Sequence, residues 1–360
     1  MTDPLSNNLE GLVCPMPLPH SQRIVLGHGS GGRMSYDLIS KVFLHPFDNP
    51  ILRIGDDAGI IVIPNDISEA GSKLAISTDS HVVMPLFFPG GDIGKLAICG
   101  TVNDVAMLGA KPLYMTAGFV LEEGLDVDIL RKVVESMQIS ALEANIQIIA
   151  GDTKVVQNGK ADGLYINTTG FGIIPHNVNI SGCNAKTGDI VIVSGTIGDH
   201  GIAVLAARGE LNFDTQITSD IAPLNGLVSA MLDTGSGIHV LRDPTRGGLA
   251  TSLNEISIQS KVGIRLYEEA IPVKPAVAAA CEMLGFDPLY VANEGKLIAI
   301  VEKGIAEQLL SIMKNHPLGS DASIIGSITE NPGDHVVLQT TFGTTRMVDM
   351  LSGEMLPRIC

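Results

Sequence analysis

The chain ends Pro357-Arg358-Ile359-Cys360, which places a thiol on the last residue of a protein with five cysteines. A terminal cysteine is poor core filler, because chain ends are usually loose and exposed. A free surface thiol is a liability unless its chemistry is used, and sulfur is a good nucleophile as the thiolate. Pro357 removes a backbone donor and biases Leu356 to an extended shape, which suits a swinging arm better than a helix end. From this feature alone, an incidental terminal cysteine accounts for the sequence equally well.

The second pattern is acidic. Apolar or small-residue segments deliver aspartates into Gly- or Thr-rich turns at Gly55-Asp56-Asp57-Ala58, Ser77-Thr78-Asp79-Ser80, Val102-Asn103-Asp104-Val105, Gly151-Asp152-Thr153-Lys154 and Asp243-Pro244-Thr245-Arg246. Carboxylates that converge repel one another and need a cation. An oxygen-only donor set suits Mg²⁺, which in turn bridges nucleotide phosphates. Aspartate is also common in turns and as a helix cap, so any one of these residues has a plain structural account. Asp104 is harder to dismiss, since an unpaired carboxylate inside an apolar helix is costly. The loop His28-Gly29-Ser30-Gly31-Gly32 can cradle a phosphate with its backbone N–H groups. It lacks the lysine ending of a Walker loop, and a gating loop fits it as well.

Composition frames these sites. A chain of 360 residues suggests two domains, and 45% hydrophobic residues supply a sizeable core. The net charge of −16 argues against nucleic acid and anionic membranes as partners. No apolar run reaches a membrane span and the N-terminus does not read as a signal peptide, so the expected compartment is the cytoplasm. The cysteine number is odd and no CxxC pair exists, which argues against a disulfide framework or zinc knuckle. Cys99, Cys183 and Cys281 read as small apolar packing residues. Strand-like runs alternate with helical patterns in both halves, which predicts an α/β or α+β class. A helical stripe runs over 33–44 through Met34, Leu38 and Val42, a buried helix over 93–108 and a helix over 126–144. The segment 146–156 reads as a strand ending in a polar turn.

The motifs together resemble the PurM-like, aminoimidazole ribonucleotide synthetase-related superfamily and, within it, the HypE family of carbamoyl dehydratases. The strings that carry this are HGSGG at 28–32, GDDAG at 55–59, STDS at 77–80, PLFFPGGDIGKLAICGTVNDVAMLGAKP at 85–112, VLEEGL at 120–125, GDTKVV at 151–156, SGTIGDHG at 194–201, RDPTRGGLA at 242–250, ANEGKL at 292–297 and PRIC at 357–360. They span nearly the whole chain from about residue 23, and the terminal PRIC separates this family from its cousins.

The resemblance implies an arm over 1–22, an N-terminal domain over 23–178, a C-terminal domain over 179–340 and a tail over 341–360. The N-terminal domain would pair with its copy in a homodimer through a shared β-barrel. ATP and Mg²⁺ would sit between the domains. Asp56, Asp57, Asp79, Asp104, Asp152 and Asp243 would be the metal candidates, with Asp56 and Asp57 not told apart. His28, Gly29, Ser30, Gly31, Gly32, Lys95, Asn103, Thr153 and Arg246 would bind the nucleotide. Cys360 would take a carbamoyl group from the carbamoyltransferase HypF, and ATP-dependent loss of water would leave a thiocyanate. The cyanide would pass to iron on a HypC–HypD scaffold for NiFe hydrogenase.

Such a step needs a base, and Glu294, just ahead of an apolar strand, is the leading candidate because partial burial raises a carboxylate's pKa. A surface turn glutamate is its plain alternative. Lys154 can stabilise charge on the transferred group, and Arg246 has the fork that suits phosphate. Lys296 and His200 are weaker candidates. A selenophosphate synthetase-like enzyme would place its nucleophile near the N-terminus. The segment Val13-Cys14-Pro15-Met16 does not look like that loop. A non-catalytic scaffold with a docking tail is the alternative from another class.

Overall fold

A computed structural model describes residues 28, 32–43, 46, 49–62, 73–209, 217–330 and 333–351. The first half supplies α1 (Arg33–Leu38), β1 (Gly59–Val62), β2 (Lys73–His81), the short pair β3 (Phe87–Phe88) and β4 (Gly91–Asp92), and α2 (Ile93–Met107). It continues through β5 (Lys111–Glu122), α3 (Val127–Glu143), β6 (Gln147–Val156) and β7 (Leu164–Ile174). The second half supplies β8 (Ile190–Val193), α4 (Asp199–Ala207), α5 (Asn225–Leu232), β9 (Ile238–Arg242), α6 (Gly248–Ser260), β10 (Gly263–Tyr267) and α7 (Pro275–Leu284). It ends with β11 (Ile298–Val301), α8 (Ala306–Asn315), β12 (Ser323–Thr329), β13 (Val336–Gln339) and β14 (Thr345–Val348).

The first sheet runs β1-β2-β7-β5-β6 and is antiparallel except for the β5–β6 pair. It is an open sheet with β1 and β6 at its edges, so among the described residues one chain closes no barrel. The second sheet runs β14-β13-β10-β12-β8-β11-β9, with β10 and β13 its parallel pair. β9 and β11 are buried along their whole length, β11 as its apolar run Ile298–Val301 requires and β9 despite its His239 and Arg242.

α2 organises the first half. It is apolar or small at almost every position, and a helix of that composition has to be covered on all sides. All its residues except Lys95 and Asp104 are buried. The Asp92 carboxylate caps its start, accepting from the N–H groups of Gly94 at 2.7 Å and Lys95 at 3.2 Å. Gly170 and Gly172 let β7 lie close beneath it. A Cβ there would come within 2.8 Å of Thr101 and 2.5 Å of Val105. An apolar cluster then joins the halves, packing Val105 and Met107 of α2 with Leu227 and Met231 of α5 and Leu241 of β9.

Several sequence expectations change here. Residues 341–360 are not irregular throughout: β14 pairs antiparallel with β13, and Asn254 Nδ2 donates to the Val348 carbonyl at 2.8 Å. Only Val348 of that strand is buried, so its sequence carries no apolar alternation to read. The 33–44 pattern is one short helix followed by a π turn over Ile39–Phe43. Gly151–Lys154 do not form a turn but continue β6, because β5 pairs with them through Ala117–Val120. Cys183 is exposed, whereas Cys99 and Cys281 are buried. The 1–22 arm, Cys14, Gly29, Ser30, Gly31 and Cys360 lie outside the described residues.

Candidate active site

A cavity of about 240 Å³ lies where the two halves meet, and five carboxylates line it: Asp57, Asp79, Asp104, Asp243 and Glu294. Ser77, Thr78, His81, Gly100, Thr245 and Arg246 complete its wall. Each half delivers its share by ordinary means. β2 carries Ser77, Asp79 and His81 at alternate positions, which puts them on one face. α2 presents Asp104 across from them, and the Ser77 hydroxyl lies 2.7 Å from Asp104 Oδ2. Gly100, one turn earlier on α2, leaves room for His81, whose Cε1 would stand 3.1 Å from a Cβ there. Asp243 follows β9 directly, and Glu294 sits in the turn before β11.

The acids are crowded and largely dry. Burial pushes Asp57 well above the usual carboxylate range, against the pull of Arg242. Burial, reinforced by Asp243, does the same to Asp104 and to Glu294. Burial raises Asp243 to about 6. His81 is held low by burial, with Nε2 placed 3.2 Å from Thr168 Oγ1 and 3.7 Å from Asp79 Oδ2. Asp243 Oδ2 and Glu294 Oε1 are buried without a hydrogen-bond partner. Such oxygens are costly unless something arrives to bind them.

The sequence candidates separate clearly. Asp57, Asp79, Asp104, Asp243, Arg246 and Glu294 come together at the cleft. Asp56 turns away, and its Oδ1 accepts the Gly182 N–H at 2.8 Å. Asp57 pairs with Arg242 at 2.8 Å. Asn103 does not line the cleft and donates to the carbonyls of Ala222 at 3.2 Å and Glu294 at 3.4 Å. Lys95 lies nine residues before Asp104, about 13 Å along the helix, and donates to the Gly90 carbonyl. Lys296 pairs with Asp220 at 3.2 Å, and His200 Nδ1 lies 2.8 Å from Ser219 Oγ.

Asp152, Thr153 and Lys154 are on the exposed edge strand β6. The register runs Asp79–Thr168–Ala117–Gly151 across the sheet, so Asp152 stands about 14 Å from Asp79. Asp152 and Lys154 pair with each other at 3.1 Å, both side chains about 70% exposed. Gly32 precedes α1 and packs against Leu351, whose carbonyl accepts the Arg33 N–H at 2.9 Å. Of His28, the described part is a half-buried residue ahead of α1.

Sequence reasoning passed over Ser77, Thr78, His81, Thr245 and Arg242. The period of two along β2 points to Ser77 and His81 once Asp79 is chosen. An arginine that closes the mostly apolar strand Ile238-His239-Val240-Leu241 flags Arg242. Among the described residues, no three His, Cys, Asp or Glu side chains by themselves form a metal cage. The oxygen-only donors, with the stranded Asp243 oxygen among them, fit a Mg²⁺ ion whose shell is completed by phosphate.

Comparison with known proteins gives the family and the fold. The model of the AIR synthase related protein N-terminal domain matches residues 55–174, and that of its C-terminal domain matches 186–339. Over 340 residues the chain is 55% identical to carbamoyl dehydratase HypE of Cupriavidus necator, covering 94% of this chain and 95% of that protein. The chain belongs to the HypE family of carbamoyl dehydratases. Among solved HypE structures, the HypE–HypF complex matches with a TM-score of 0.82 at 52% identity, covering 87% of this chain and 99% of that one. HypE in complex with ATP matches with a TM-score of 0.78 at 49% identity, covering 94% of this chain and 100% of that one. The carboxylate cleft is thus set in a HypE fold of nearly full length.

Proposed function

We propose that this protein dehydrates a carbamoyl group carried on its own Cys360, using ATP with Mg²⁺, to give a thiocyanate that supplies cyanide to the iron of NiFe hydrogenase. The observation that carries the reading is Glu294: a buried carboxyl group with one oxygen unpartnered, facing a cleft shared with Asp79, Asp104 and Asp243. Its raised pKa suits a group that takes a proton from the amide nitrogen. Asp79, Asp104 and Asp243 are the residues to hold Mg²⁺, with Asp57 kept beside them by Arg242. Bound Mg·ATP supplies the phosphoryl group that turns the amide oxygen into a leaving group. The oxygen departs as phosphate, the two N–H protons pass to base and solvent, and the carbon is left triply bonded to nitrogen on sulfur. Arg246 lies at the cleft wall, where a guanidinium steadies phosphate charge.

The root of the tail supports the same reading. Met350 lines a hollow together with Arg242, and Arg242 holds Asp57 of the cleft. Residues 352–360, if extended, would cover about 30 Å.

The working unit in this proposal is a homodimer. β6 leaves Ile148, Ile149 and Val155 exposed on an unpaired edge, and an apolar groove of about 890 Å³ runs between β6 and α3. An edge of that kind needs a cover. A second copy there would complete a barrel and offer its Asp152, Thr153 and Lys154 to the neighbouring cleft. The carbamoyl donor is HypF, as the HypE–HypF complex suggests, and the cyanide acceptor is an iron scaffold of the HypC–HypD kind. A cytoplasmic setting suits these partners.

Intact-mass analysis tests the proposal. With HypF, carbamoyl phosphate and ATP, the protein should gain one carbamoyl group on Cys360, then lose the mass of one water when Mg·ATP is present. A Cys360→Ser variant that gains and loses the same masses would refute it.

A further inference from the structure

Glu294 has a free carboxyl group but a tightly held backbone. Its N–H donates to Asp220 Oδ1 at 3.1 Å. Its carbonyl accepts from the Ala222 N–H at 3.5 Å and from Asn103 Nδ2 at 3.4 Å. The next residue, Gly295, lies against the same segment, and a Cβ there would stand 1.8 Å from the Asp220 carbonyl oxygen. The other oxygen of Asp220 forms an ion pair with Lys296 Nζ at 3.2 Å, the two side chains being only 3% and 14% exposed; the contact lacks hydrogen-bond geometry, and Nζ donates instead to the Gly295 carbonyl at 3.3 Å. Asp220 itself does not line the cleft. The segment that carries it is fixed in turn to the first half, because the Ser219 N–H donates to the Pro89 carbonyl at 2.8 Å.

We propose that Asp220 is a positioning residue for Glu294. One of its oxygens fixes the backbone of the Glu294 turn and the other holds Lys296 away from the Glu294 carboxylate. The inference rests on the reading of Glu294 as the base. Lys296 is two residues from Glu294 in the chain, so an ammonium released from Asp220 stays tethered beside the turn that carries that buried carboxylate. Paired with that ammonium, Glu294 would lose its freedom to take a proton. The geometry therefore gives Asp220 two separable tasks: an acceptor for one N–H, and a counter-charge for one lysine.

The experiment measures single-turnover dehydration of the carbamoylated protein together with affinity for a β,γ-imido ATP analogue. Asp220→Asn keeps an acceptor but frees Lys296, and it is expected to dehydrate about tenfold slower with analogue affinity within about threefold of the parent. Adding Lys296→Met removes the competing charge and should restore most of the rate. An Asp220→Asn rate equal to the parent's, a double variant no faster than the single one, or a loss of affinity in step with the rate would each overturn the proposal. If Asp220→Asn does not fold, two double variants without a lone buried charge decide the matter. Asp220→Asn/Lys296→Met should stay within about threefold of the parent, and Asp220→Ala/Lys296→Met should be about tenfold slower. Equal rates for these two overturn the proposal. Glu294→Gln is run in parallel: if it is slow while Asp220→Asn is not, only the role of Asp220 falls, and if it is as fast as the parent, the reading of Glu294 falls and takes this inference with it.

Discussion

Arg242, the last residue of β9, grips Asp57, in the loop before β1, through an ion pair of 2.8 Å that ties the two halves of the chain together at the cleft. The guanidinium also reaches Glu255 at 3.4 Å and the Gly55 carbonyl at 3.4 Å, and only 7% of its side chain is exposed. Removing it leaves Asp57, 14% exposed, and Glu255, 31% exposed, without their counter-charge. Arg242→Met is therefore expected to destabilise the fold by about 3–5 kcal/mol, with Arg242→Lys falling between it and the parent. Urea denaturation of the three proteins checks this, and an unchanged midpoint for Arg242→Met would show that the pair holds nothing together.

Stability should fall as pH rises in the absence of metal. Asp243 titrates at about 6 in the folded protein, above the ordinary value of 3.8, and burial also raises Asp57, Asp104 and Glu294. The folded state keeps protons that the unfolded chain has released. That stabilisation is full below the unfolded values and is lost as pH climbs through the folded ones. Melting temperatures in chelator should decline between about pH 5 and pH 7.5, and Mg²⁺ should flatten the decline, since a bound cation favours the ionised acids. A melting temperature that rises over this range in chelator would contradict the assignment.

Glu294→Gln preserves shape and hydrogen-bonding capacity but cannot take a proton. The carbamoyl adduct on Cys360 should form at the parent's rate and then persist, with dehydration slowed at least about a hundredfold. Nucleotide affinity should change by less than about threefold. Intact-mass time courses separate the two steps.

Lys154 offers a test of the dimer. It lies on the exposed strand β6, well away from the cleft of its own chain. If it serves the cleft of a second copy, Lys154→Met and Glu294→Gln will each be inactive alone. Subunit exchange between them would then rebuild one working site in each mixed dimer, returning about a quarter of all sites to activity. A mixture as inactive as its parents would show that Lys154 acts within its own chain or has no part in the step.

Much of the cleft was legible in the residues. Asp104 stood out because it interrupts an apolar helix, and a dry carboxylate needs a reason to be there. Asp243 and Glu294 were legible because glycine, threonine and proline mark the turns around them, whereas Asp79 was grouped with them although its Ser-Thr-Asp-Ser segment is part of strand β2. Asp152 shared those neighbours and was grouped with them, yet its strand runs on through the supposed turn and carries it to the far edge of the sheet. His81 and Arg242 were passed over because their local sequence is plain and their importance comes only from what folds against them.

The sequence by itself determined the chemical inventory: a terminal sulfur, a surplus of oxygen donors, an apolar helix that must be buried and a chain with two cores to fill. It could do so because composition and local period act through neighbours in the chain. The tertiary structure alone decided that Asp57 rather than Asp56 faces the cleft, that Asn103 holds the Glu294 backbone instead of lining the cleft, and that Glu294 keeps a stranded oxygen. Those are relations between segments far apart in sequence, and burial and charge pairing are fixed only when sheet register and helix packing bring such segments into contact.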